Sequence, residues 1–229
     1  MNGGLADLPA PAALLFDLDG TLVDTVGTRI DGWLRTFAEV GLPAEREHVA
    51  RLIGTDGRRL AREVAAAVGR TLDDERAEAI DKRAGQLYDE LNTDPRPLPG
   101  ARQLLLELQR GSLPWAIATS SRAEQVMASV DALRLHQRPT IVDGSHVEHA
   151  KPAPDLLLLA ADRLGVPPAA TWYIGDSTWD MRAAQAAGMV AVGVPTGAVD
   201  EAALLQAAAA AVTDLPAVQL ELRRRGRLG

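Results

Sequence analysis

The chain has 229 residues, 31 acidic side chains against 24 basic ones, a formal charge of −7, and no cysteine. This excludes disulfides, thiolate metal sites and cysteine nucleophiles, and an acidic balance argues against nucleic acid as the main partner. With 47% hydrophobic and 24% charged residues, no basic apolar leader and no uncharged stretch long enough to span a bilayer, a soluble cytoplasmic protein is the default expectation.

After a Pro/Ala lead, residues 13–16 form a compact apolar run ending at Asp17-Leu18-Asp19-Gly20-Thr21, the pattern of a buried parallel strand running into a polar loop. Residues 25–94 break from any strand rhythm. They read as four helices, near 28–40, 45–53, 57–68 and 73–91, with breaks at Gly41-Leu42-Pro43, Gly54-Thr55-Asp56 and Gly69-Arg70. A Pro-rich stretch at 94–100 returns the chain to alternation. Helices are expected near 101–110, 123–135, 154–164 and 179–187, and strands at 115–118, 140–142, 172–174 and 190–194. The alanine run 207–211 reads as helix on propensity. Strand and helix alternating in this way predict an α/β, doubly wound parallel-sheet (Rossmann-like) core, residues 1–24 and 95–229, with an α-helical domain of residues 25–94 inserted after the first strand.

In such a sheet, ligands bind at the carboxyl ends of the strands. The first strand delivers Asp17 and Asp19 there, the second Thr119 and Ser120, and the fourth Asp176 with Asp180 one helical turn on; Lys151 precedes the helix opened by Pro154. Clustered carboxylates with hard oxygen ligands suit Mg²⁺, while the hydroxyl, the lysine and free backbone N–H groups suit a phosphate beside it. The set points to phosphoryl transfer.

Asp17-Leu18-Asp19-Gly20-Thr21-Leu22-Val23-Asp24, Thr119-Ser120, Lys151-Pro152-Ala153-Pro154-Asp155 and Gly175-Asp176-Ser177-Thr178-Trp179-Asp180 resemble, in order, the four motifs of the haloacid dehalogenase superfamily. The helical insertion resembles the small cap of its phosphoglycolate phosphatase and β-phosphoglucomutase branch. The resemblance implies that Asp17 is the nucleophile that becomes an aspartyl phosphate, and that Asp19 protonates the leaving oxygen and later activates water. It implies Mg²⁺ held by Asp17, Asp176 and the Asp19 carbonyl, with Asp180 direct or through water. Thr119 and the Ser120 N–H would bind phosphoryl oxygens, and Lys151 would bridge the phosphate and Asp17. Arg58 or Arg59, on the loop that resembles the substrate-facing cap loop, would bind a carboxylate of the leaving group, against the plainer reading of surface arginines on an Arg-rich helix.

Other residues read as structural. Ser121 with Glu124 fits a capping box for the next helix, Asp24 caps the first insertion helix or serves the site, and Asp155 suits the first turn of its helix. The four histidines show no ligand spacing, and Arg223-Arg224-Arg225 ends a helix. Lys82 and Lys151 are the two lysines among the 24 basic residues, and Lys151 falls on the third motif, where arginine's planar fork would crowd metal and nucleophile.

The reading is thus a Mg²⁺-dependent phosphatase of small phosphorylated metabolites, phosphoglycolate phosphatase-like, a monomer or homodimer without nucleic-acid or membrane partners. The alternatives are a phosphomutase of the β-phosphoglucomutase type, which the Gly175-Asp176-Ser177 form disfavours, and a receiver-type signalling module, which Asp19 and the helical insertion disfavour.

Overall fold

The computed structural model describes residues 4–228. The first apolar run forms β1 (Ala13–Phe16), all four residues buried. The helical insertion follows as α1 (Val26–Glu39), α2 (Arg46–Leu52), α3 (Gly57–Ala67) and α4 (Asp74–Leu91). Alternation then resumes through α5 (Ala101–Arg110), β2 (Trp115–Ala118), α6 (Ala123–Ala132), β3 (Thr140–Val142), α7 (Asp155–Leu164) and β4 (Thr171–Gly175). The chain ends through α8 (Thr178–Ala186), β5 (Val190–Gly193), α9 (Glu201–Gln206), β6 (Ala211–Val212) and α10 (Leu215–Arg224).

The strands form one parallel sheet in the order β3-β2-β1-β4-β5-β6. Leu14 is paired with Trp115 of β2 on one side and Trp172 of β4 on the other. The order therefore reverses at β1/β4, and the crevice past the carboxyl ends of these two strands is where a doubly wound sheet places its ligand.

Strand alternation divides the core. Leu14, Phe16, Ile117, Trp172 and Ile174 pack with α5, α6 and α10 on one face, while Leu15, Ala116, Ala118 and Tyr173 pack with α7, α8 and α9 on the other. The sheet is thus buried on both faces, which accounts for the near-continuous apolar runs. The insertion has its own cluster, including Ile30, Trp33, Phe37, Leu60, Val64 and Ile80. The rings of Trp33 and Phe37 stack at 5.4 Å. Each large side chain buried in this way stabilises the fold by roughly 1.5–3 kcal/mol. Trp179, from α8 of the sheet layer, also belongs to this cluster, and its Nε1 donates to the Arg51 carbonyl at 3.0 Å. The insertion is a cap seated on the sheet layer.

Two local expectations need correction. The alanine run does not form a helix. Ala207 caps α9, Ala208 adopts φ +72°, and Ala211 pairs with Val192 as part of β6. Pairing with the open edge of β5 outweighs the few tenths of a kcal/mol per residue by which alanine favours helix, too little to sustain so short a run. The N-cap of α6 is Arg122, whose backbone N–H is answered by Gln125 Oε1 at 3.3 Å, so Ser121 stands outside that helix and its hydroxyl is used elsewhere.

Candidate active site

The strand ends bring Asp17, Asp19, Thr119, Ser120, Lys151 and Asp176 to the wall of one cavity, closed on the other side by the cap loop at Ile53-Gly54-Thr55. Ser120 Oγ donates to the Gly54 carbonyl at 3.2 Å, and Thr55 Oγ1 donates to the Lys151 carbonyl at 3.1 Å. The cap loop is thus sealed on the sheet layer by hydrogen bonds from both sides.

Lys151 is 1% exposed. Its Nζ donates to Asp17 Oδ1 at 2.6 Å, to Asp180 Oδ1 at 2.8 Å and to the Tyr173 hydroxyl at 3.2 Å, using all three of its protons. Burial alone would lower its pKa, but the Asp17 and Asp180 carboxylates reverse this and hold it charged. Burial pushes Asp17 up to about 7; Lys151 counters this, while the Asp180 and Asp19 charges add to it.

Asp180 is fully buried, and both its oxygens are engaged. Oδ1 receives Lys151 and the Tyr173 hydroxyl (2.9 Å), and Oδ2 receives the Ser177 N–H (2.9 Å) and Oγ (2.5 Å). Four donors fill a carboxylate's roughly four acceptor positions, so Asp180 offers charge to the site while its oxygens are spent on Lys151, Tyr173 and the start of α8. Asp176 is different: one oxygen receives Thr21 Oγ1 at 2.7 Å. Burial, then the Asp180 and Asp17 charges, raise its pKa well above the usual range. Gly20, at φ +85°, lies so close that a Cβ there would stand 2.4 Å from Asp176 Oδ2, so only glycine leaves the room for this carboxylate.

One carboxylate oxygen from each of Asp17, Asp176 and Asp180 lies within 4.8 Å of the other two, and all three residues are buried. Three buried carboxylates face one buried ammonium, a charge imbalance that a divalent cation with a preference for oxygen would relieve. The donor set therefore fits Mg²⁺.

Asp19 is held by a network that the sequence did not announce. Thr25 Oγ1 donates to Oδ1 at 2.6 Å, and Arg29 Nη2 and Ser121 Oγ donate to Oδ2 at 2.8 and 2.7 Å. The Tyr88 hydroxyl stands 3.2 Å from Oδ1, and the Arg29 guanidinium lies over the Tyr88 ring at 3.8 Å. Burial would raise the Asp19 pKa, but the Arg29 charge and these donors overcome it and hold the carboxyl below its ordinary value.

Arg58 is not brought to this cavity. It pairs with Asp56, the N-cap of α3, at 2.9 Å and lines the neighbouring grooves. Arg59 lies over the Trp179 ring at 4.8 Å. The arginine that does reach the cavity is Arg29, and its signal was present. It falls on the buried stripe of α1 with Val26, Ile30 and Trp33, where a charged residue needs a partner. Asp81 similarly interrupts the buried stripe Ala77, Ile80, Ala84 of α4 and also lines the cavity. The histidines stay away from it: His146 pairs with Asp143, and His149 lies beside Asp155. Arg225 ties the last helix to the carbonyls of Leu5 and Leu8.

The family model of the haloacid dehalogenase-like hydrolases matches residues 14–194. Fructose-1-phosphate phosphatase YqaB of Escherichia coli (strain K12) is 33% identical over 189 residues, covering 80% of this chain and 96% of that protein. A phosphoglycolate phosphatase of Xanthomonas campestris pv. campestris is also 33% identical, over 184 residues, covering 80% and 82%. The crystal structure of a hydrolase from Pseudomonas syringae superposes with a TM-score of 0.87 at 33% identity, covering 93% of this chain and 98% of that one. Among the described residues, no helix is long and apolar enough to cross a membrane.

Proposed function

The chain belongs to the haloacid dehalogenase-like hydrolases, and from that premise we propose that it is a Mg²⁺-dependent phosphatase of small phosphorylated metabolites working through an aspartyl phosphate on Asp17. As a phosphoric monoester hydrolase it must accelerate one of the slowest reactions in water, which no single group can do. The observation that carries the reading is Lys151 Nζ set 2.6 Å from Asp17 Oδ1 beside two further buried carboxylates.

Asp17 attacks phosphorus in line with the leaving oxygen, and Asp19 gives that oxygen a proton as it departs. The aspartyl phosphate is then opened by water. Asp19, now ionised, takes the water's proton, phosphate leaves and the Asp17 carboxylate returns. Arg29, Thr25 and Ser121 favour the ionised form of Asp19 that this second step requires, and the proton Asp19 gives to the leaving oxygen is the one it took from water in the turnover before. Lys151 fixes the Asp17 carboxylate and offers charge to the phosphoryl oxygens, as do Thr119 and the Ser120 N–H. Asp17, Asp176 and the Asp19 carbonyl would hold Mg²⁺, with Asp180 contributing its charge and its hold on Lys151 because its own oxygens are filled, and the ion would supply neutralising charge to the phosphoryl group.

The test is phosphate release from a panel of phosphorylated metabolites with Mg²⁺ and with a chelator. Turnover far beyond one phosphate per chain, dependent on Mg²⁺ and without sugar-phosphate isomerisation, is expected. A single phosphorylation per chain would instead make it a receiver-type module, and isomerisation a mutase.

A second expectation concerns metal and pH. In the metal-free protein the Asp17 pKa is raised from 3.8 to about 7. Its proton therefore stabilises the fold fully below about 3.8, and that contribution is lost as pH rises through about 7. Mg²⁺ competes with this proton, so its gain in Tm should be larger at pH 8 than at pH 5.5 by calorimetry. Equal gains at both pH values would remove this cluster as the metal site.

A further inference from the structure

The two relatives described above are equally similar to this chain, yet one is named for a sugar phosphate and the other for a carboxylate-bearing ester. Overall similarity therefore does not select the leaving group, and the residues lining the cavity beyond the carboxylate cluster must.

That wall is made by Arg29 and Trp33 of α1, Asp81 of α4 and Gln125 of α6. Its cation is Arg29, whose charge is paired with Asp19 through Nη2–Oδ2 at 2.8 Å, while its buried Nε has no partner among the described residues. Lys151, the other cation lining the cavity, is divided between Asp17 and Asp180. Asp81 has one oxygen, Oδ2, on Arg122 Nη2 at 2.6 Å, and Arg122 also serves Glu78. The other oxygen, Oδ1, faces Gly57 so closely that a Cβ there would lie 1.9 Å from it. Among the described residues Oδ1 receives no hydrogen bond from the protein, so a partly exposed acceptor (side chain 15% exposed) is kept open on the cavity wall. The Gln125 carboxamide takes Arg29 and Arg122 N–H on its oxygen at 3.4 and 3.3 Å and keeps its own amide protons. Trp33 adds an aromatic surface.

We infer that the leaving group is neutral and hydroxyl-bearing, a polyol or sugar, and that Asp81 is the residue that selects it against carboxylate-bearing esters. A substrate hydroxyl completes Asp81 Oδ1. A substrate carboxylate would instead face a carboxylate that shares one guanidinium, Arg122, with Glu78, on a wall whose cations Arg29 and Lys151 already balance carboxylates of the protein, which is discrimination by repulsion as well as by attraction. The assignment rests on the phosphatase reading, since it concerns the group from which phosphate is cleaved. It also relocates substrate selection from Arg58, outside the cavity, to α4.

The experiment compares kcat/KM for glycerol 3-phosphate and fructose 1-phosphate with that for phosphoglycolate and 3-phosphoglycerate, using the Mg²⁺-loaded protein. p-Nitrophenyl phosphate, which has neither hydroxyl nor carboxylate, serves as a general probe of phosphatase chemistry. The hydroxylated esters should be favoured by about tenfold or more. In Asp81→Asn, the ratio of hydroxylated to carboxylated kcat/KM should fall by about tenfold, through KM more than kcat. Gly57→Ala, which displaces Asp81 Oδ1 and leaves its charge in place, should lower the same ratio and provides a second route if Asp81→Asn folds poorly. Because the ratio is taken within one protein, a general loss of activity cancels. A wild-type preference for the carboxylated esters, or a ratio unmoved in both variants, would overturn the inference while p-nitrophenyl phosphate turnover left the phosphatase reading intact. Failure to turn over any ester, the probe included, would remove both.

Discussion

In the Asp17→Asn protein, phosphate release should fall by about 10⁵-fold or more, while the fold persists and Tm without metal is equal to or above that of the parent. The reasoning begins with shape. Asparagine matches aspartate in size, and its carbonyl oxygen can still receive Lys151, now 2.6 Å away. Its amide is a poor nucleophile, so the covalent step is lost rather than slowed by misplacement. The stability expectation follows from the same burial that pushes the Asp17 pKa up to about 7: at neutral pH a carboxylate held there against Asp180 and Asp19 is costly, and the neutral amide removes that cost. Mg²⁺ should also raise Tm less in this variant. Steady-state phosphate release and calorimetry with and without Mg²⁺ check the three parts together. Residual activity within tenfold of the parent would end the nucleophile assignment.

The second large effect is expected at Lys151→Arg. Charge is conserved in this exchange, and by composition it would be the natural one in a chain with only two lysines. The surroundings forbid it. Lys151 is 1% exposed, with Nζ enclosed by Asp17, Asp180 and the Tyr173 hydroxyl at 2.6, 2.8 and 3.2 Å. A planar guanidinium is wider than an ammonium and cannot turn its donors towards three partners that converge on one point. Overpacking of this kind costs about 1–3 kcal/mol. The displaced carboxylate of Asp17 should lower kcat by about 10²-fold or more, since an ångström of misplacement is enough for that. Activity near the parent's with an unchanged Tm would show that the site has room for arginine.

The parts of this site readable from sequence are those carried by consecutive residues at strand ends. A buried parallel strand must be apolar and must stop at a polar loop, so Asp17, Asp19, Thr119 and Asp176 stand at boundaries that the apolar runs themselves mark. Their convergence follows once the sheet is recognised as doubly wound. What escaped is contact between distant segments. Ser121 reads as a helix cap because its neighbours suit one, yet its hydroxyl reaches Asp19, 102 residues away, and Gln125 answers the backbone of Arg122 instead. Tyr173 lies within an apolar strand, where alternation fixes its face but cannot show that its hydroxyl meets Asp180 beyond the strand's end. Arg29 and Asp81 were visible as charges on buried helical stripes; which charge each would meet depended on how the cap sits.

The placement of Trp179 has a consequence for how this scaffold can diversify. One turn of α8 sends Trp179 into the cap cluster and Asp180 into the carboxylate cluster, and the indole is bonded to the backbone of α2. Cap seating on this flank is therefore tied, residue by residue, to the chemistry, and a lineage could not reshape it without disturbing Lys151 and Asp17. The opposite flank is tied at fewer points: Arg29 of α1 and Tyr88 of α4 meet Asp19, whereas Trp33 and Asp81 on the same helices stand clear of the Asp17, Asp176 and Asp180 cluster. Selection for new leaving groups would be free to act at these two positions, so the cavity wall is conservative where it meets Asp19 and Lys151 and open to drift at Trp33 and Asp81.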